Sequence, residues 1–183
     1  MTETPVFSPA AGGYSTAQNV TITCGTIGAT IRYTTDGSTP SQTVGTIYAA
    51  PVNISVDTTL KAIAYFSGIA DSPVVTGVYQ IRAADPVFSP SAGVYSAAQN
   101  VAITCATAGA TIRYTTDGST PSQTVGTVYA AAININANTV LKAIAYKAGM
   151  TDSNVISGTY TILAFALNNA FSITNDGTYV YAV

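Results

Sequence analysis

Apolar and polar side chains alternate along most of this chain, and no stretch repeats its apolar residues with the spacing of a helix. Alternation with a period of two is typical of strands that have one buried and one solvent-facing side. In residues 19–24, for example, Val20, Ile22 and Cys24 fall on one side and two threonines on the other. The first 81 residues contain seven segments that we predict to be strands: Pro5–Ser8, Asn19–Cys24, Ala29–Thr35, Val44–Ala49, Val52–Ser55, Thr59–Phe66 and Val74–Ile81.

The sixth predicted strand, Thr59–Phe66, is apolar on both of its sides. Its outward side includes Ile63 between Lys61 and Tyr65, which is too apolar for an ordinary exposed strand. We therefore expect this strand in the middle of a sheet, covered by long side chains of its neighbours. The residues predicted to face the core are Leu60, Ala62, Ala64 and Phe66.

Residues 5–81 recur as residues 86–162 at a constant offset of 81, without an insertion, and about seven positions in ten are identical. Seven short strands separated by Gly, Pro, Asp and Ser turns are typical of an immunoglobulin-like β-sandwich. We predict an all-β protein with two tandem immunoglobulin-like β-sandwiches, residues 1–82 and 83–162, plus a short C-terminal β segment, residues 163–183. The linker, Arg82 to Asp85, contains no glycine and is too short for a flexible tether, so we expect restricted hinge motion.

The composition limits the classes of partner. Hydrophobic residues make up 48% of the chain and charged residues only 8%, and the six basic residues are scattered. Nucleic-acid binding needs clustered Lys and Arg, and a membrane-spanning helix needs about 18 consecutive apolar residues, so we predict neither kind of partner. Residues 1–13 lack the basic and apolar regions of a secretory signal. We expect a virion-surface or extracellular location, reached either without a signal or after its removal.

A composite motif resembles a known family. Each copy contains the string YTTDGSTP at residues 33–40 and 114–121, preceded by a VTITC-type strand and GATIR and followed by LKAIAY and a closing Gly-x-Tyr-x-Ile. This combination resembles the chitobiase/β-hexosaminidase C-terminal-like domain, also described as fibronectin type III-associated, over residues 5–81 and 86–162. The resemblance implies a non-catalytic immunoglobulin-like accessory module, sometimes credited with weak carbohydrate contact. Such modules accompany glycoside hydrolases, bacterial surface proteins and phage virion proteins.

Few residues suit catalysis or a cofactor. The chain has no His, and its only Glu is Glu3, so we predict no enzymatic activity and no cofactor. The aspartates, including Asp36, Asp57 and Asp71, lie in turn-like segments, where capping of the backbone explains them. We interpret Asp36 with Gly37 as a structural clasp at a strand end. A calcium site is the alternative, although the loop lacks a second acidic residue.

Cysteine and tyrosine leave two questions open. Cys24 and Cys105 occupy the same position in the two copies, so neither copy can close an internal disulfide. We expect both thiols to pack as small apolar groups, with an intermolecular bridge as the alternative. Each copy also has five Tyr, which we expect to pack in the core or at its rim, whereas stacking on a glycan is the alternative.

The C-terminal segment, residues 163–183, has no counterpart in the repeat. It reads as an alternating strand and then a hairpin with an Asn-Asp-Gly turn at residues 175–177. A lone hairpin is marginal in water, so it packs on the second domain, docks on another subunit by strand addition, or continues into a longer protein. The residues that we predict to make such contacts are Phe165, Leu167, Phe171, Ile173, Tyr179 and Tyr181.

These observations favour a structural accessory protein that displays two tandem domains on a particle surface, as a decoration of a phage capsid or tail. Residues 163–183 would anchor it to other virion or surface-assembly subunits. The alternatives are a carbohydrate-binding adhesion module with weak glycan affinity and a fragment of a secreted glycoside hydrolase.

Overall fold

A computed structural model describes residues 1–163 and two short strands, residues 172–173 and 179–180. The first domain contains eight strands: β1 (Val6–Ser8), β2 (Gly12–Tyr14), β3 (Gln18–Thr23), β4 (Thr30–Thr34), β5 (Thr46–Ile47), β6 (Val52–Ile54), β7 (Thr58–Tyr65) and β8 (Val75–Ile81). The second domain repeats them: β9 (Val87–Ser89), β10 (Gly93–Tyr95), β11 (Gln99–Thr104), β12 (Thr111–Thr115), β13 (Thr127–Val128), β14 (Ile133–Ile135), β15 (Thr139–Tyr146) and β16 (Ile156–Ile162). The C-terminal strands are β17 (Ser172–Ile173) and β18 (Tyr179–Val180).

Each domain is a two-sheet sandwich. In the first domain a three-stranded sheet has the order β1-β3-β6 and a five-stranded sheet the order β2-β8-β7-β4-β5. The second domain has the same two orders, β9-β11-β14 and β10-β16-β15-β12-β13. The core lies between the sheets, since Val20 and Ile54 of the smaller sheet pack with Leu60 and Tyr79 of the larger one. The fold is therefore all-β, with two tandem immunoglobulin-like sandwiches, as predicted.

The seven predicted strands of the first copy are all present, but an eighth was missed. Residues 12–14, which lie between the first two predicted strands and were not predicted to be a strand, form β2, which pairs in parallel with the last strand, β8. Tyr79 of β8 lies opposite Gly12, and Ile81 lies opposite Tyr14. Two adjacent glycines usually indicate a turn, so local sequence pattern could not reveal a strand that depends on a partner 67 residues away.

Strand β7 lies in the middle of the five-stranded sheet, as predicted from its apolar outward side. The outward-facing Ile63 lies opposite Arg32 on β4 and is buried. The Arg32 Nε donates a hydrogen bond to the Tyr65 hydroxyl at 3.3 Å, so the two long side chains meet beside Ile63. The prediction that Phe66 faces the core is wrong. Strand β7 ends at Tyr65, and the Phe66 side chain is 41% exposed in the following hairpin.

The C-terminal hairpin is described only by its two short strands. Strands β17 and β18 pair antiparallel, with Ile173 opposite Tyr179, in the order expected for a hairpin around residues 175–177. The candidates Phe165, Leu167, Phe171 and Tyr181 lie outside the described residues. In the described part of the chain, no helix is long and apolar enough to cross a membrane.

Candidate functional site

The YTTDGSTP loop, residues 33–40, is a closed network of local hydrogen bonds. The Asp36 Oδ1 accepts bonds from the Ser38 N–H at 3.0 Å and from the Ser38 hydroxyl at 2.6 Å. The Thr34 hydroxyl donates to the Ser38 carbonyl at 2.7 Å, and the Lys61 ammonium donates to the Gly37 carbonyl at 2.7 Å. Gly37 adopts a φ of 85°, which favours glycine. The loop is a clasp that ties the end of β4 to β7.

The second domain reproduces this clasp bond for bond. The Asp117 Oδ1 accepts from the N–H and hydroxyl of Ser119, and the Lys142 ammonium donates to the Gly118 carbonyl. In both copies the serine hydrogen bonds hold the pKa of the aspartate below its ordinary value of 3.8, because they favour the charged carboxylate. The clasp interpretation of Asp36 and Asp117 is therefore supported by geometry.

Asp57 and Asp71, which we expected to cap the backbone of their own turns, instead bond to residues 24 and 29 positions away in the sequence. The Asp71 Oδ1 accepts a bond from the Gln42 amide at 2.8 Å, and the Asp57 Oδ1 accepts one from the Ile81 N–H. Among the residues that the structure describes, no group of three His, Cys, Asp or Glu side chains is arranged to hold a metal ion.

The cysteines and tyrosines take mainly packing roles. Cys24 is half-buried, packs against the first core, and directs its thiol at the Glu3 carbonyl. Tyr14 stacks on Tyr79 with ring centroids 6.2 Å apart. Burial raises the pKa of the Tyr79 hydroxyl, which donates to the Pro9 carbonyl. Tyr79 is buried and the other four Tyr of the first copy are half-buried, which agrees with packing in the core or at its rim.

The two domains meet in a junction formed by Val56, Asp57 and Ile81 of the first domain and residues 149–151 of the second. Two backbone hydrogen bonds cross it: the Asp57 N–H donates to the Gly149 carbonyl at 2.7 Å, and the Thr151 N–H donates to the Ile81 carbonyl at 3.0 Å. The Ala83 N–H then donates to the Thr151 carbonyl at 2.9 Å, which binds the linker to the second domain. Thr151 is thus bonded to the chain on both sides of Arg82, at Ile81 and at Ala83.

Side chains add to the junction. The Thr151 hydroxyl donates to the Asp57 Oδ2 at 3.1 Å, across 94 residues of sequence. Met150 packs against the hydrophobic core of the first domain, and a Cβ added to Gly149 would lie 3.5 Å from the Cβ of Val56. The Asp57 carboxylate therefore bridges its own last strand, through the Ile81 N–H, to the next domain.

The copies differ at the positions that form this junction. The counterparts of Val56 and Asp57 are Ala137 and Asn138, and the counterpart of Thr151 is Ala70. Among the residues that the structure describes, Asn138 keeps the role within its own domain, since its Oδ1 accepts from the Ile162 N–H at 2.8 Å. A sequence comparison of the copies could have revealed the Asp57–Asn138 difference, but not that Asp57 contacts the second domain.

The end of the first domain opposite the junction carries exposed apolar side chains, which we call the tip: Ile27, Phe66 and Ile69. Ile27 is 95% exposed, and Phe66 and Ile69 are each 41% exposed. Phe66 to Ile69 form a tight hairpin, with the Ile69 N–H donating to the Phe66 carbonyl at 3.2 Å. A cavity of about 540 Å³ opens beside this hairpin. Sequence reasoning missed this site, because alternation along β7 extended one residue too far and placed Phe66 in the core.

Comparison with known proteins gives the following results. The family model described as the chitobiase/beta-hexosaminidase C-terminal domain matches twice, over residues 9–76 and 90–159. The fibronectin(III)-like modules of Clostridium thermocellum CbhA are 16% identical, with a TM-score of 0.28 over 86% of this chain and 93% of that one. Drosophila N-cadherin EC1-3 is also 16% identical, with a TM-score of 0.26 over 88% and 68% of the two chains. No curated protein matches the chain.

Proposed function

Because this chain belongs to the chitobiase/β-hexosaminidase C-terminal domain family, with one match in each sandwich, we propose that it is a non-catalytic accessory protein that displays its domains on a particle surface. A decoration protein of a phage capsid or tail is the specific form of this proposal. Residues 163–183 are the anchor to other subunits in this scheme, and the first domain is the distal end.

The junction is the observation that carries the proposal. A display protein needs its domains held away from the surface, and a flexible tether would allow them to fold back. Here backbone hydrogen bonds and the Asp57–Thr151 contact join the domains directly. Two domains held in this way act as a spacer of defined geometry.

The composition of residues 163–183 supports their role as the anchor. The segment departs from the repeat, is rich in apolar and aromatic residues, and carries a single charged side chain, Asp176. Apolar strands with little charge are suited to adding to a sheet edge of another subunit. Two unpaired cysteines are compatible with assembly in a reducing compartment.

Deletion of residues 163–183 tests the anchor. We expect the full chain to form higher oligomers or bind its particle and residues 1–162 to be monomeric and unbound, as measured by analytical ultracentrifugation and particle co-sedimentation. Phe165→Asp with Phe171→Asp, in an otherwise full-length chain, should abolish association in the same way. Association that survives both changes would exclude this segment as the anchor.

A further inference from the structure

The tip of the first domain contains a cavity that the display role does not use. Its lining includes Thr30, Gln42, Tyr65, Phe66, Ser67 and Ile69, and its volume of about 540 Å³ falls within the usual range for small-molecule sites. The cavity lies at the end of the first domain opposite the junction.

An exposed aromatic ring forms one side of the cavity. The Phe66 ring is packed closely against Gly28, since a Cβ added there would lie 3.2 Å from the ring carbon Cε2. Gly28 adopts a φ of 80° and leaves room for this approach. The ring is thus held against the backbone while 41% of the residue stays exposed. A fixed and partly exposed ring is a ready surface for the apolar face of a flat ligand.

Polar groups around the ring are only partly used within the protein. The Gln42 amide donates one hydrogen bond to the Asp71 Oδ1 at 2.8 Å, which orients it and leaves its carbonyl oxygen as an acceptor. The Tyr65 hydroxyl accepts from the Arg32 Nε, and its own proton remains available to a ligand. The hydroxyls of Thr30 and Ser67 have no hydrogen bond to any described residue.

The chemistry of the lining selects one class of ligand. Hydroxyl and amide groups surround an exposed ring, and the lining contains no Lys, Arg, Asp or Glu. Phosphate or carboxylate ligands need a cation, which this cavity does not offer. A sugar ring presents hydroxyls at its edge and apolar C–H groups on its face. We propose that this cavity binds a neutral saccharide, with Phe66 under the sugar ring and Gln42, Tyr65 and Ser67 at its hydroxyls.

The second domain lacks the key elements of this site. Lys147 replaces Phe66, and its ammonium donates to the Ala108 carbonyl at 2.8 Å. Ala148 replaces Ser67, which removes a hydroxyl. The hairpin of the second domain instead meets the first domain through Gly149 and Met150. The chain thus contains one hairpin with the site and a matching hairpin, in the second domain, that lacks the aromatic ring and one hydroxyl.

Steric overlap argues against a second copy of the chain that docks on the tip with the geometry of the junction. Residues 1–4 follow the same path on the first domain as the linker follows on the second, with the Thr2 N–H donating to the Ala70 carbonyl at 2.8 Å. The Leu163 N–H donates to the Tyr95 carbonyl as the Arg82 N–H donates to the Tyr14 carbonyl. If a second copy docked its second domain on this tip, as the first domain docks on the second at the junction, Leu163 of that copy would overlap Met1 of the first copy. A small ligand beside Phe66 meets no such overlap.

Saturation-transfer difference NMR on the full chain tests the site. The measurement can be made whether the chain is monomeric or oligomeric. Cellotriose and tri-N-acetylchitotriose are the neutral probes, and trigalacturonate is the anionic one. We expect saturation transfer to the ring C–H protons of at least one neutral probe. Phe66→Lys with Ser67→Ala, which installs the residues of the second domain, should weaken binding by about tenfold or more. Lys147→Phe with Ala148→Ser is the matched control at the other copy and should leave binding at the tip unchanged.

Three outcomes would overturn the proposal: no transfer to either neutral probe, equal affinity of the Phe66→Lys, Ser67→Ala variant, or preference for trigalacturonate. A tip variant that changed oligomerisation rather than saccharide binding would instead identify a protein contact. Thermal unfolding of each variant verifies that the first domain is folded. The inference does not rest on the anchor, because deletion of residues 163–183 should leave saccharide binding intact.

Discussion

The two domains share one architecture but differ at their ends. Of the 77 aligned positions in residues 5–81 and 86–162, 22 differ. The clasp residues are identical and make the same hydrogen bonds in both copies. The differences include Val56, Asp57 and Thr151 at the junction and Ile27, Phe66 and Ile69 at the tip, when each is compared with its counterpart. Shared residues thus maintain the sandwich, whereas several diverged residues serve contacts that only one domain makes.

The comparison also separates two uses of one hairpin. In the second domain, the hairpin Lys147 to Met150 meets the first domain through Gly149, which accepts a backbone hydrogen bond from it, and Met150, which packs on its core. In the first domain, the hairpin Phe66 to Ile69 has the same backbone hydrogen bond, but Phe66 and Ile69 are exposed. The same local fold therefore supports an internal contact at one place and an exposed apolar surface at the other.

The largest expected effect tests whether the cores are equivalent. Leu60 and Leu141 are both fully buried at matching positions. Leu60→Ala and Leu141→Ala should each lower the free energy of unfolding of their own domain by about 2–5 kcal/mol, because each leaves a cavity. Differential scanning calorimetry of the two variants measures this. Effects that differ by more than about 2 kcal/mol would show that the two cores are not equivalent.

An intermediate effect is expected at the junction. Asp57→Asn installs the residue of the second copy, places an amide where the Thr151 hydroxyl donates, and should weaken the coupling between domains by about 1 kcal/mol. The reverse change, Asn138→Asp, is the matched control and should not alter the coupling, because the bond that the structure describes for Asn138 lies within the second domain and does not reach the junction. Small-angle scattering and calorimetry of the two variants measure interdomain motion and coupled unfolding. Equal behaviour would mean that the carboxylate does not contribute to the junction.

The smallest effect concerns pH and the clasp. The serine hydrogen bonds lower the pKa of Asp36 and Asp117 in the folded state, so the unfolded chain binds protons more readily. Their contribution to stability is therefore complete above the ordinary pKa of 3.8 and is lost as the pH falls through the lowered values. Denaturant titrations between about pH 5 and pH 2 should show this loss. Asp36→Asn with Asp117→Asn should make the free energy of unfolding less dependent on pH in this range. If the pH dependence is unchanged, other carboxylates cause it.

Much of the fold could be predicted from the sequence, because alternation and turn residues are local signals. The buried and exposed sides of β3 and β4 follow directly from their alternating residues, and the apolar outward side of β7 indicated its central position. The Asp36 clasp was predictable for the same reason, since its partner Ser38 is two residues away.

What could not be predicted depends on distant partners. Strand β2 forms because it pairs with β8, and the two glycines in β2 are not residues that predict a strand. Asp57 was interpreted as a residue that caps its own turn, but its partners are the Ile81 N–H, 24 residues away, and the Thr151 hydroxyl in the other domain. Phe66 was misplaced because the alternating pattern of β7 does not show at which residue the strand ends. The tip and the junction both lie at such points.

The parallel pairing of β2 with β8 has a mechanical consequence. Strand β2, the second strand of the domain, and β8, the last strand, lie side by side and point the same way, so tension that reaches them from the two termini pulls them in opposite directions along their length. All hydrogen bonds of this pair are then loaded in shear together, instead of opening one after another as in an unzipped hairpin. The bond from the Arg82 N–H to the Tyr14 carbonyl lengthens the same ladder, and β10 with β16 repeats the arrangement. Each domain should therefore resist stretching along the chain axis more strongly than its small size suggests.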